Sequence, residues 1–154
     1  MKYWITGLSL LAFDLVTKQF SQHFLHENSQ SIIPEFFDLT LAFNEGVAFS
    51  LPIPRFLQIL ITLAFFIYFF IWALENFTKL SKGEKWGSVL LVSGAIGNFI
   101  ERVISGQVTD FLSLHYGNLF YFPIFNIADI LIFLGVCAWI LGRFFKPEDE
   151  PEIS

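Results

Sequence analysis

Long apolar runs separated by short polar stretches dominate this chain of 154 residues. Four such runs stand out, covering about residues 3–20, 54–74, 86–104 and 119–145. Each is close to or above the ~20 residues that a helix needs to cross the hydrocarbon core of a bilayer. Within the second run, residues 61–72 (ITLAFFIYFFIW) are apolar on nearly every side, which suits lipid contact. The pattern predicts an all-α polytopic membrane protein with four transmembrane helices.

The first run also resembles a cleaved signal peptide, because Lys2 precedes it. However, Asp14 and Lys18 interrupt the run, and no small-residue cleavage site follows it. We therefore expect a retained helix.

The basic residues indicate the orientation of the four predicted helices. Most of them cluster at the N-terminus, in the connection 75–85 and at the C-terminal end of the fourth run, whereas residues 21–53 contain no Lys or Arg. The positive-inside rule then places both termini in the cytoplasm, an N-in/C-in topology. The first and third connections would face outward.

The long first connection carries a strand pattern. Apolar residues alternate with other residues over 37–43, and the turn-prone 44–46 (NEG) leads into 47–49 (VAF). We expect a strand pair here, forming a small extracytoplasmic β-sheet subdomain between helices 1 and 2, over about residues 21–53, on the membrane surface.

Composition narrows the class of protein further. Apolar residues make up 55% and charged residues 15%, against about 45–50% and about 25% in soluble domains. Four of the fourteen acidic residues lie in 148–154, which is predicted to be a disordered acidic tail in the cytoplasm. The remaining residues, 1–147, form one predicted domain that is almost neutral. Nine basic residues offer no nucleic-acid-binding face.

The cysteine and histidine content argues against a metal or redox centre. The lone Cys137 cannot form an intrachain disulfide or a redox pair. The three histidines show no metal-ligand spacing. No metal is therefore expected.

Most polar residues of the predicted helices fall in the outer half of the membrane. Helix 4 is expected to run inward from about residue 122, so Asn126 and Asp129 would lie about 6 and 10 Å below its outer end. In helix 1, Asp14 and Lys18 form an i,i+4 pair. Ionisable groups inside a membrane are costly, which makes them candidates for function.

Several of these polar groups also have purely structural explanations. Asp14 and Lys18 can be an ion pair that holds helix 1, with or without a role at the substrate. Asn98 and Asn126 can be interhelical hydrogen-bonding groups. Arg102 can reach the membrane interface or pair with the neighbouring Glu101.

Two aspartates suggest a reaction. Asp110 and Asp129 come from different elements, yet the predicted topology places both near the outer membrane boundary. Two carboxylates that meet in a partly dry site hold one proton between them, as in aspartic proteases. The alternative at this point is a small proton-coupled transporter that uses intramembrane carboxylates.

Five sequence blocks, in this order, resemble the lipoprotein signal peptidase (signal peptidase II) family of bacterial intramembrane aspartic proteases. The blocks are residues 14–18 (DLVTK), 43–49 (FNEGVAF), 94–98 (GAIGN) with Arg102, 108–111 (VTDF) and 125–129 (FNIAD). The chain departs from the family's usual residues at Leu15, Ser93 and Glu101, which puts fine substrate preference in doubt but not the chemistry.

The resemblance implies that Asp110 and Asp129 are the catalytic residues, activating a water without a metal, a cofactor or an acyl-enzyme. The residues that match its active-site and substrate-cradle positions are Asp14, Lys18, Asn44, Gly46, Asn98, Arg102 and Asn126. The implied reaction cuts the peptide bond before the diacylglyceryl-modified cysteine of a prolipoprotein. The implied location is the bacterial cytoplasmic (inner) membrane, with the active site near the extracytoplasmic face. We expect a monomer whose partners are this substrate and the lipid bilayer.

Overall fold

The computed structural model describes residues 1–25, 29–46 and 54–145. Within these ranges, helices and strands alternate in blocks, and a short 3-10 turn joins the second helix to the third. The elements are α1 (Lys2–Phe24), β1 (Gln30–Ile33), β2 (Phe37–Asn44), α2 (Arg55–Asn76), α3 (Lys82–Ile104), β3 (Val108–Tyr116), β4 (Phe120–Tyr121) and α4 (Ile127–Phe144). The predicted acidic tail, 148–154, lies outside the described residues.

Among the described residues, three helices are long and apolar enough to cross a membrane: α2 over Arg55–Ala73, α3 and α4. The 23 residues of α1 are also long enough, at about 1.5 Å per residue, but they include Asp14 and Lys18. Both charged side chains are buried, while apolar α1 side chains such as Trp4 are exposed. The mostly helical fold is confirmed, and the count of four spans stays a prediction.

The four strands form one antiparallel sheet in the order β1-β2-β3-β4. The predicted strand at 37–43 is confirmed as β2, but its expected partner at 47–49 lies outside the described residues. Instead β2 pairs with β1 on one side and β3 on the other. The expectation that the sheet lies between helices 1 and 2 alone is therefore wrong. Both edges of β2 need backbone partners, and the second comes from the Val-, Thr- and Phe-containing segment that follows α3.

The fourth helix begins later than expected. Residues 119–126 are not helical, and α4 starts at Ile127 because Asn126 caps it. The Asn126 side chain accepts from Asp129 N, while the Asp129 side chain accepts from Asn126 N. This capping box places the two residues at the N-cap and in the first turn, so the depths predicted from a start near residue 122 are wrong.

The helices pack closely through small residues. The most extensive helix contact is between α3 and α4, where a Cβ added to Gly87 would lie 2.5 Å from Trp139 N and 2.7 Å from Gly135 O. On another face of α3, the Ser93 hydroxyl donates to Gly7 O of α1 over 3.1 Å. The contact between α1 and α3 therefore also passes through small residues, Gly7 and Ser93. The bundle thereby holds one end of α1, α3 and α4 against the sheet.

Candidate active site

The fold brings the two predicted catalytic aspartates to the end of the bundle that carries the sheet. Asp110 is the third residue of β3 and is 3% exposed, and Asp129 lies in the first turn of α4. Backbone hydrogen bonds from Phe111 N and Leu112 N to Phe125 O fasten β3 to the segment that enters α4. This short connection explains how residues from a strand and a helix become neighbours.

Asn126 links the two carboxylates directly. Its side-chain Nδ2 donates to Asp110 Oδ1 over 2.6 Å, and its backbone N donates to Asp129 Oδ2 over 3.2 Å. The residue is fully buried. The helix cap of α4 is therefore also the bridge between the two acids.

Two further amides complete the set of donors. Asn98 Nδ2 donates to Asp129 Oδ1 over 2.9 Å, and Asn44 Nδ2 donates to Asp110 Oδ2 over 3.2 Å. Each carboxylate oxygen thus accepts one N–H bond. A carboxylate oxygen has two lone-pair directions, so each retains capacity for a water or a substrate group.

The direction of these amides follows from what meets their oxygen atoms. Lys18 Nζ, which has no acceptor capacity, donates to Asn98 Oδ1 over 2.8 Å. Gly46 N donates to Asn44 Oδ1 over 2.9 Å. Because the oxygen of each amide is occupied by a donor, its NH₂ group turns toward an aspartate.

Lys18 is the centre of a buried ion cluster. Its ammonium lies 2.9 Å from Asp14 Oδ2 and 3.2 Å from Glu101 Oε2. Asp14 also accepts from Ala128 N, in the first turn of α4, over 2.8 Å. The structural role of the Asp14–Lys18 pair is therefore clear, since it joins α1 to α3 and to the start of α4.

Arg102 interacts electrostatically with the neighbouring Glu101, but in the described part of the chain its side-chain hydrogen bonds go elsewhere. Its Nε donates to Gln58 Oε1 over 3.0 Å, and its Nη2 donates to Gly46 O over 3.2 Å. The guanidinium also interacts electrostatically with both catalytic candidates. All nine predicted site residues thus belong to one connected polar network.

Sequence reasoning missed some members of this network. Glu101 accepts from Thr109 N over 3.0 Å and from Thr109 Oγ1 over 2.7 Å, which fastens the residue before Asp110 to α3. Gln22 Nε2 donates to the same hydroxyl over 2.5 Å. The continued four-residue spacing from Asp14 through Lys18 to Gln22 was the signal that could have revealed Gln22.

The electrostatics favour a shared proton. Burial and, to a smaller extent, the neighbouring Asp129 carboxylate raise the pKa of Asp110 to about 6, against the opposing effect of the Asn44 and Asn126 hydrogen bonds. Two carboxylates that cannot both ionise cheaply hold one proton between them. Such a pair can accept a proton from water at one member and donate one to a carbonyl at the other.

Comparison with known proteins places this geometry in context. A family model described as Signal peptidase (SPase) II matches residues 6–145. A lipoprotein signal peptidase of Pseudomonas paraeruginosa is 37% identical over 150 residues, covering 92% of this chain and 86% of that protein. One from Neisseria meningitidis serogroup C is 33% identical over 156 residues, covering 96% and 92%.

Solved structures agree with the sequence comparison. A structure described as a bacterial membrane enzyme superposes with a TM-score of 0.74 at 28% identity, covering 95% of this chain and 94% of that one. A second, with the same description, gives a TM-score of 0.68 at 29% identity, covering 97% and 93%. The likeness therefore extends through the whole bundle and its sheet.

Proposed function

The chain belongs to the signal peptidase II family, and from this premise we propose that Asp110 and Asp129 are its catalytic pair. The protein is a multi-pass membrane endopeptidase that removes signal peptides from prolipoproteins. The observation that carries the residue assignment is the Asn126 bridge, in which the side-chain amide and the backbone N–H of one buried residue bind the two acids. Membership of a protease family removes the support for a proton-coupled transporter.

The proposed chemistry is a general acid–base hydrolysis. The ionised member of the pair takes a proton from a water molecule, whose oxygen attacks the scissile carbonyl carbon. The protonated member gives its proton to the carbonyl oxygen, which yields a tetrahedral gem-diol. When the carbon–nitrogen bond breaks, the amine leaves with a proton from the pair and the gem-diol returns one. The pair ends with the single proton it began with.

The proposed substrate is a prolipoprotein whose cysteine carries diacylglycerol, cut on the N-terminal side of that cysteine. A lipid-anchored cysteine keeps the scissile bond at a membrane boundary, which suits a site at one end of the bundle. With the N-in/C-in orientation argued from the basic residues, the sheet end faces the extracytoplasmic side of the bacterial inner membrane. The enzyme acts as a monomer in the bilayer.

The remaining site residues have supporting roles in this proposal. Asn98 and Asn126 orient the acids, and the Asp14–Lys18 pair fixes Asn98 and the start of α4. Asn44 and Gly46, with Arg102, lie beside Asp110 where the substrate backbone would pass. This division assigns chemistry to two residues and positioning or binding to the other seven, which are Asp14, Lys18, Asn44, Gly46, Asn98, Arg102 and Asn126.

Cleavage of a purified diacylated prolipoprotein tests the proposal. Asp110→Asn and Asp129→Asn each replace an ionisable carboxyl with an amide of the same size, and we expect kcat to fall at least about 10³-fold while Tm does not fall below that of the wild type. The matched control is Asp38→Asn, which makes the same change on β2 at a carboxylate that pairs with His115. Near-wild-type turnover by either catalytic variant would rule out the assignment.

A further inference from the structure

Gln58 is a buried polar residue in a largely apolar helix. It lies one turn into α2 and is 3% exposed, whereas most neighbouring side chains of this helix are exposed. Its Oε1 accepts from Arg102 Nε over 3.0 Å, and its Nε2 donates to Glu45 O over 2.9 Å. One amide therefore connects α3 with the turn that follows β2.

The contact with Arg102 is part of a reciprocal attachment between two helices. From α2, Arg55 Nε donates to Arg102 O over 3.0 Å, and its Nη2 donates to Val103 O over 2.7 Å. From α3, the Arg102 side chain reaches back to Gln58. The backbone of Arg102 is thus held by one α2 residue and its charged group by another.

The turn at residues 44–46 is held at each of its three positions. Glu45 O accepts from Gln58, Gly46 O accepts from Arg102, and the Asn44 side chain contacts Asp110. Gln58 therefore fixes the turn and the guanidinium relative to each other, directly beside a catalytic candidate.

An amide is well suited to this position. The guanidinium only donates and a backbone carbonyl only accepts, so the bridging side chain must offer one acceptor and one donor. Because Oε1 faces Arg102, Nε2 faces Glu45. A glutamate keeps the acceptor and loses the donor, and a methionine of similar length loses both.

We propose that Gln58 is a positioning residue for substrate binding, which holds Arg102 and the 44–46 turn in the arrangement that receives the substrate backbone. The inference rests on the proposed function, since it assumes that the substrate peptide binds beside Arg102 and the 44–46 turn. It assigns Gln58 an effect on binding through Arg102, and no part in bond cleavage.

Steady-state kinetics of the full-length enzyme on a diacylated prolipoprotein test this inference. We expect Gln58→Met to raise KM about tenfold with kcat within about twofold, because a hydrogen bond to a charged group is lost from binding alone. Gln58→Glu keeps the acceptor for Arg102 but loses the donor to Glu45 O, so we expect its KM to rise about threefold, less than in Gln58→Met. The matched control is Gln19→Met on an exposed position of α1, with no expected change.

The outcomes separate the alternatives. Equal KM values for Gln58→Met and Gln58→Glu, a wild-type KM in Gln58→Met, or a loss confined to kcat would each overturn the inference. If Gln58→Met does not fold, Gln58→Asn takes its place, because asparagine is too short to reach both partners and should show the same KM increase. Failure of the proposed function would appear elsewhere, as activity in Asp110→Asn or Asp129→Asn.

Discussion

The polar side chains at the two ends of α3 differ in where they find their hydrogen-bond partners. At the sheet end, Asn98, Arg102 and Glu101 reach across to α1, α2 and β3. At the opposite end, polar side chains bond mainly to their own helix terminus, as when Glu84 accepts from Ser81 N and Ser81 Oγ accepts from Glu84 N. One end joins several elements, whereas the other combines these local bonds with contacts to α4, where Ser81 Oγ donates to Gly142 O over 3.0 Å and Arg143 lies 3.7 Å from Glu84.

The contacts between helices differ in the same sense. At the opposite end α3 and α4 touch backbone to backbone, and a Cβ on Gly142 would lie 2.5 Å from Glu84 N. Close backbone contact continues toward the sheet end, where a Cβ on Gly94 would meet Ala128 O, but hydrogen-bonded side chains are added there to join α1, α2 and β3. We infer that close glycine packing makes the α3–α4 pair rigid. The buried charged groups at the sheet end can then serve the reaction, because the pair does not depend on them for its packing.

The largest effect that tests this comparison is expected from Gly87→Ala. The added methyl group would lie 2.5 Å from Trp139 N, so the two backbones must separate. We expect a loss of about 3 kcal/mol or more in the free energy of unfolding, measured in detergent or bicelles, because overpacking against backbone cannot be relieved by side-chain rotation.

Gly7→Ala is the matched control on α1. Its added Cβ would meet only side-chain atoms, Ser93 Oγ at 3.2 Å and Val89 Cγ1 at 3.4 Å. We expect a change below about 1 kcal/mol. Equal losses in the two variants would contradict the assignment of rigidity to the α3–α4 contact.

The mostly helical fold could be predicted from the sequence, because apolar runs are local features, and the catalytic pair stays a proposal. Sequence reasoning missed the start of α4, although Asn126 and Asp129 can be recognised as a capping box. It also missed β3 as the partner of β2, because strand pairing between residues about 70 positions apart leaves no local signal. It did not reveal the hydrogen-bond and ion-pair partners of Glu101 for the same reason, since they lie on α1 and β3.

A smaller effect concerns the pH dependence of stability at the sheet end. Because burial raises the pKa of Asp110 from 3.8 to about 6, the folded protein binds this proton more tightly than the unfolded chain does. Stability is therefore lost as pH rises from about 4 through 6. Asp110→Asn lacks this titration. As pH rises from about 4 to 6, the free energy of unfolding of the variant should therefore increase by roughly 2 kcal/mol relative to that of the wild type.

Thermal unfolding of wild type and Asp110→Asn between pH 4 and pH 7 measures this difference. The Tm values should be most alike at pH 4, where the wild-type carboxyl is protonated, and should diverge by pH 7. A Tm difference that stays the same at every pH would mean that ionisation of the buried Asp110 does not destabilise the folded protein.

The smallest of the three effects is expected from Glu101→Gln, which tests whether the sheet end depends on links between elements. The change keeps an acceptor for Thr109 but removes the charge that faces Lys18 at 3.2 Å. Lys18 retains Asp14 at 2.9 Å, so we expect a loss of only about 1 kcal/mol in stability. Since Thr109 precedes Asp110, kcat should fall about tenfold as the strand shifts. Glu75→Gln, at an exposed position of α2, is the matched control, and an equal effect there would show that the Glu101 links do not position Asp110.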